Sequence, residues 1–358
     1  MLSRKVFQQF AAIKDALDSY RIVDVRYSLD EPATYGTRNY KLGHIPRARF
    51  ANLDEELCGP LTSTSGRHPL PDPEQFIQWC TRNSIGDKPV LCYDDQGGGM
   101  AACRLWWMLD SLGVESYVLE GGWQEYLASG LPSEEGEAHP VDCLPSWEHR
   151  RSFESRAVTL AGIPVGTPLV DARFAIRYNT TVRPYGLDTC PGHLPNAVNL
   201  PWNLHLLEPS KRLKPLDELT KKMQDTLGGK LDATSHIFMC ASGVTACMNV
   251  ALATHLGFGT PKLYGGSWSQ FEQNHSWMLR SLALQQHGMF FTMRSKSLAM
   301  NPKFNPEIAT ITVDGQPLQP PFSTEVQSAL TFLHVGESAR IDFKNGLSHE
   351  VTVQKKTA

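Results

Sequence analysis

Cys240 stands where a cysteine can act as a nucleophile. It follows the apolar run His236-Ile237-Phe238-Met239 and precedes Ala241-Ser242-Gly243-Val244-Thr245, where a helical stretch opens that runs from Val244 to Leu256 and stops at Gly257. The pattern predicts a buried strand, a short loop and an apolar helix. Small side chains let the loop amides turn inward around the sulfur, and the start of the helix adds the positive end of its dipole. That setting favours an anion, here a thiolate ready to attack at neutral pH. On the loop alone, a cysteine that merely packs is an equal reading. The elements around it must decide.

Length and composition narrow the choice. A chain of 358 residues is expected to hold two or three domains. Its 34 basic and 37 acidic residues leave a net charge of -3, so no global field draws nucleic acid or an anionic membrane. No apolar stretch approaches the ~20 residues that span a bilayer. Met1 to Val6 lack a long apolar core, and Asp15 and Asp18 follow soon after, against a secretory or transit peptide. A cytoplasmic location is expected, with a mitochondrial one left open. Eight cysteines without a C-x-x-C pair imply reduced thiols and no metal site.

The chain repeats itself. Ile22-Val23-Asp24-Val25-Arg26 returns as Leu169-Val170-Asp171-Ala172-Arg173, and Gly43-His44-Ile45-Pro46 as Gly192-His193-Leu194-Pro195. Val90-Leu91-Cys92-Tyr93-Asp94 returns as His236 to Cys240, and Gly121-Gly122-Trp123 as Gly265-Gly266-Ser267-Trp268. Four landmarks in one order at nearly one offset mark a duplicated domain. Short strand-like runs alternate with helical stretches, which predicts an α/β fold with parallel sheets and helices on both faces. The copies are expected at 1–134 and 150–284, joined by a polar linker at 135–149. After 285 the pattern changes to a small α+β piece, with a strand over Ile308–Val313 and a hairpin around Asn345-Gly346.

V-D-x-R, G-H-[IL]-P, a cysteine loop running into G-V-T-A and G-G-S-W, all in tandem, resemble the rhodanese superfamily over roughly residues 15–280. In that family the second copy carries the catalytic cysteine. The asymmetry is visible here: where the second copy has Met239-Cys240, the first has Tyr93-Asp94. Within the superfamily, loops of the type C-R-K-G-V-T accompany thiosulfate as donor and neutral C-G-[ST]-G-V-T loops accompany 3-mercaptopyruvate. C-A-S-G-V-T is similar to the second, with Ala241 in place of glycine. The resemblance implies a sulfurtransferase with no cofactor, working through a Cys240 persulfide to a thiol acceptor such as thioredoxin or glutathione, or to cyanide.

It also implies roles for other residues. The loop from Ala241 through Ser242, Gly243 and Val244 to Thr245 would hold the sulfur anion. Arg177, six residues past Asp171, and Arg183 would hold the substrate carboxylate. Ser242, His68 and Asp54 would form a relay, with the first copy supplying the last two. Cys247, Trp106, Trp107 and Trp202 read as packing residues, and the recurring Asp24/Arg26 and Asp171/Arg173 as internal ion pairs. The tail from Val326 to Ile341 faintly resembles part of FK506-binding-protein-like domains. Competing readings are a thiosulfate-using enzyme and a scaffold without catalysis. A phosphatase of related fold would need a longer loop ending in arginine, and none of Ala241 to Ala246 is one.

Overall fold

The computed structural model describes residues 5–137, 152–164, 166–179, 187–188, 192–194 and 196–274, together with the backbone of four strands between 309 and 355. Strands β1 (Phe7–Gln8), β2 (Arg21–Asp24), β3 (Arg49–Phe50), β4 (Val90–Tyr93) and β5 (Ser116–Leu119) form one parallel sheet in the order β1-β5-β4-β2-β3. Strands β6 (Ala157–Val158), β7 (Leu169–Asp171), β8 (Ala197–Asn199), β9 (Ile237–Met239) and β10 (Lys262–Tyr264) repeat it as β6-β10-β9-β7-β8. Helices cover both faces, so the central strands are buried on both sides and read as continuous apolar runs: Val90, Leu91, Cys92 and Tyr93 are all buried.

The strand order fixes where a site can lie. In the second sheet the chain leaves β7 toward β8 and leaves β9 toward the opposite edge, so a crevice opens beyond the carboxyl ends of β7 and β9. Cys240 follows β9 and Arg173 follows β7 by two residues.

The copies meet through two apolar helices, Ala102–Leu112 and Ala246–His255. All eleven residues of the first are buried, including Trp106 and Trp107. Cys103 Sγ lies 3.6 Å from Met248 Sδ across the junction. One continuous core contains Val90, Leu105 and Trp106 of the first copy with Phe238, Val250 and Leu252 of the second. Trp202 is packed between copies as expected: a Cβ at Gly99 would stand 2.2 Å from its ring, which explains the glycine there.

In the tail, β11 (Ala309–Val313), β12 (Gln316–Leu318), β13 (Ser338–Asp342) and β14 (Ser348–Lys355) pair antiparallel in the order β12-β11-β14-β13. Asp342 pairs with Ser348, and Asn345-Gly346, expected to turn a hairpin there, lie outside the described residues. The linker from 138 on, Arg183 and the stretch from Val326 to Glu337 lie outside the described residues.

Candidate active site

Cys240 is 1 % exposed, yet it lines a cavity of about 520 Å³ that both copies wall. Its loop is held from within and from behind. Gly243 N–H donates to Cys240 Sγ at 3.1 Å. Gly243 has φ +76 and a Cβ there would lie 2.3 Å from the Gly265 carbonyl, so only glycine fits. Behind the loop, Cys240 N–H donates to Ser267 Oγ at 3.1 Å, while Trp268 and Ser269 N–H donate to the carbonyls of Cys240 and Ala241 at 3.0 and 2.7 Å. The G-G-S-W landmark is thus the backing of the nucleophile loop. Ala241 is not among the residues with a left-handed backbone, which accommodates its methyl group. Ser242, Val244 and Thr245 line the cavity, and the helix begins at Ala246, two residues later than the sequence pattern suggests.

Opposite the loop, the first copy supplies the two residues expected of it. His68 Nδ1 lies 2.7 Å from Ser242 Oγ, and His68 Nε2 lies 3.3 Å from Asp54 Oδ1. Asn52 caps the short helix Leu53–Glu56 by accepting from Asp54 N–H at 2.9 Å, which fixes the carboxylate's start point. Tyr27, which sequence reasoning missed, donates its hydroxyl to Asp54 Oδ2 at 3.2 Å and stands 3.5 Å from His68 Nε2. Burial and the Asp54 charge push the Tyr27 phenol well above its ordinary range, so it remains a donor.

The arginines differ from one another. Arg177 reaches the cavity, but its Nε and Nη2 donate to Asp188 at 2.9 and 2.5 Å. The edge expected to grip a substrate carboxylate therefore holds a carboxylate of the chain itself. Arg173 is paired with Asp171 at 2.8 Å and lies 4.6 Å above the Trp268 ring, an internal ion pair as in Asp24/Arg26 at 2.6 Å. Yet Arg173 also lines the cavity, with Nη1 3.5 Å from Asp188. Arg67, next to His68 and missed in the sequence, lines it too, 3.6 Å from Asp188 and 3.3 Å from Glu272. Its only sequence signal was adjacency to the histidine.

The corresponding loop of the first copy is closed by its own acid. Asp94 accepts from the N–H groups of Gln96, Gly98, Met100, Ala101 and Ala102 at 2.7–3.2 Å. Here the amide cradle survives and the carboxylate fills it. Other thiols are held inert by burial: Cys247, whose Sγ donates to the Gly243 carbonyl at 3.3 Å, is pushed up to about 12, and Cys92 in β4 is pushed up as well. Among the described residues no group of three or more His, Cys, Asp or Glu is placed to hold a metal ion, and no helix is long and apolar enough to cross a membrane.

Similarity to known proteins follows the same outline. The rhodanese-like domain family matches residues 9–129 and 157–274, and a domain of unknown function, DUF1930, matches 289–354. A solved structure of 3-mercaptopyruvate sulfurtransferase from Leishmania major is 40% identical, covers 98% of this chain and 96% of its own, and superposes with a TM-score of 0.75. A Pseudomonas aeruginosa protein named probable 3-mercaptopyruvate sulfurtransferase is 34% identical over 259 residues, 70% of this chain and 88% of its own. Thiosulfate sulfurtransferase of Gallus gallus is 32% identical over 250 residues, 65% of this chain and 80% of its own. Duplicated sheets, the loop after β9 and these matches together place the chain in the rhodanese family, as a tandem of two rhodanese-like domains with a further C-terminal region.

Proposed function

We propose that the chain is a sulfurtransferase that takes sulfur from 3-mercaptopyruvate and passes it to a thiol or to cyanide. The observation that carries the donor is the neutral Ala241-Ser242 pair, with His68 2.7 Å from the Ser242 hydroxyl. A thiosulfate dianion would find no cation in that loop. The Leishmania and Pseudomonas relatives, which bear the mercaptopyruvate name, support the same donor.

In the first half-reaction Cys240 thiolate attacks the substrate sulfur, the carbon–sulfur bond breaks, and its electron pair becomes the enolate of pyruvate. The proton released from the transferred sulfur ends on the enolate carbon, so the products are pyruvate and the Cys240 persulfide anion. A thiolate or cyanide then removes the outer sulfur and restores Cys240. His68, held between Ser242 and Asp54, orients the Ser242 hydroxyl toward the substrate carbonyl, where it would stabilise the enolate oxygen. Gly243 N–H, with the other amides from Ala241 to Thr245, would hold the persulfide. The substrate carboxylate would be met by Arg177 and Arg183, joined by Arg67, in exchange with or beside Asp188. The guanidinium fork suits a carboxylate better than lysine does.

The copies are assigned to 1–134 and 150–284, and 285–358 to an accessory domain. The physiological acceptor is taken to be a thiol such as thioredoxin or glutathione. Steady-state assays test the donor: pyruvate release from mercaptopyruvate with a thiol acceptor should exceed thiocyanate formation from thiosulfate by at least ~10-fold in kcat/KM. Equal or better use of thiosulfate would overturn the donor assignment.

A further inference from the structure

Arg104 is a fully buried charged side chain that the reaction above leaves unused. It lies in helix Ala102–Leu112 of the first copy and is 0 % exposed. Its Nη1 donates to the Gly243 carbonyl at 3.1 Å, and its Nη2 faces the carbonyls of Leu57, His68 and Pro69, each at 3.3 Å. These four acceptors are main-chain carbonyls, and the Cys247 side chain is a further hydrogen-bond partner of the guanidinium. A buried guanidinium must be matched by acceptors, and here four main-chain carbonyls match it, so an apolar side chain in its place would take their donor away.

What the cation spans is specific. His68 and Pro69 belong to the loop that carries the histidine, and Gly243 adjoins Ser242 in the nucleophile loop. Gly243 also donates to Cys240 Sγ at 3.1 Å, and the His68 ring meets Ser242 Oγ at 2.7 Å. From the His68 ring to Ser242, along the chain to Gly243, through Arg104 and back to the His68 carbonyl, the bonds close a ring that crosses the junction between copies. A planar fork with fixed donor directions suits two anchors on different domains, whereas an ammonium is a single point.

We propose that Arg104 is a positioning residue: the inactive copy uses it to set the nucleophile loop against the His68 loop, and so the Ser242–His68 contact. This rests on the sulfurtransferase reading for its kinetic arm only. In the full-length protein, Arg104→Lys should fold, keep the KM for mercaptopyruvate within about 3-fold and lose kcat by ~10–100-fold, the scale of a small misplacement in a site. Arg104→Gln should do the same or worse. In a Ser242→Ala background, Arg104→Lys should cost no more than about 3-fold, because the contact it serves is already gone. A crystal structure of Arg104→Lys should show His68 Nδ1 and Ser242 Oγ separated beyond hydrogen-bond distance, roughly 3.5 Å.

Full activity of Arg104→Lys would mean that only the charge counts and would overturn the proposal. So would an unchanged His68–Ser242 distance, or an equal loss in the Ser242→Ala background. Failure of both Arg104 variants to fold would overturn it too, by making the residue a determinant of the fold. If the wild-type chain releases no pyruvate from mercaptopyruvate, the functional reading fails, and the crystallographic distance still decides the role of Arg104.

Discussion

At the scale of single residues, the site divides labour between a sulfur that reacts and a relay that handles charge on the leaving fragment. Cys240 lies at the end of β9 with one amide already pointed at it, and Ser242, His68 and Asp54 stand in line across the cavity. These parts should fail differently. Cys240→Ser removes the covalent step altogether. Ser242→Ala and His68→Ala should lower kcat for mercaptopyruvate by ~10²-fold, the usual weight of positioned proton donors, while Cys240 stays intact. Asp54→Asn should cost less, ~10-fold, because the Asp54 side chain is 41% exposed and water can take its place. Steady-state kinetics of the three variants checks the ranking, and an Asp54 loss as large as that of His68 would contradict it. The residue types were legible in the sequence, through the family resemblance of the loop. Their meeting was not local information, since His68 and Ser242 are 174 positions apart. Tyr27, Arg67 and Asp188 were missed for the same reason: each gains its meaning from a partner on another element.

At the scale of elements, the two copies show one device in two states. A strand, a loop of small residues and a helix make a nest of amides. In the second copy the nest faces a cavity and holds a sulfur, and in the first it closes on Asp94. Five N–H donors satisfied by one buried carboxylate make Asp94 structural. Asp94→Ala should therefore lower unfolding free energy by about 3 kcal/mol, measured by urea titration, with little change in KM. A change below about 1 kcal/mol would mean the amides find water easily and the nest is not held by the acid. The strand-loop-helix pattern and the repeat were readable because apolar runs and turn residues are local signals. The exact start of the helix at Ala246 was not, because the boundary is gradual: Thr245 already has helical angles, φ -69 and ψ -19, and Val244 and Thr245 accept i+3 bonds from Cys247 and Met248 N–H.

At the scale of the whole molecule, duplication explains why a copy without a nucleophile persists. The apolar junction of helices Ala102–Leu112 and Ala246–His255 makes one core of two domains, and the first domain lends His68 and Asp54 to a cavity it cannot use alone. The tail stands apart: its four-stranded antiparallel sheet follows no landmark of the repeat. The Pseudomonas relative matches this chain over 88% of its own length and 70% of this one. The Leishmania structure covers 98% of this chain, tail included. If the tail serves folding or acceptor docking, deleting 285–358 should lower soluble yield or turnover with a protein thiol acceptor by several-fold. Unchanged yield and turnover would remove that role.

The central claim is a covalent sulfur on Cys240 drawn from mercaptopyruvate. Intact-protein mass after mixing with 3-mercaptopyruvate tests it most directly, with Cys240→Ser and with thiosulfate as controls. The account predicts a gain of one sulfur atom with mercaptopyruvate, none in Cys240→Ser, and little with thiosulfate. Mercaptopyruvate leaving the wild-type mass unchanged, or loading Cys240→Ser equally, would contradict it.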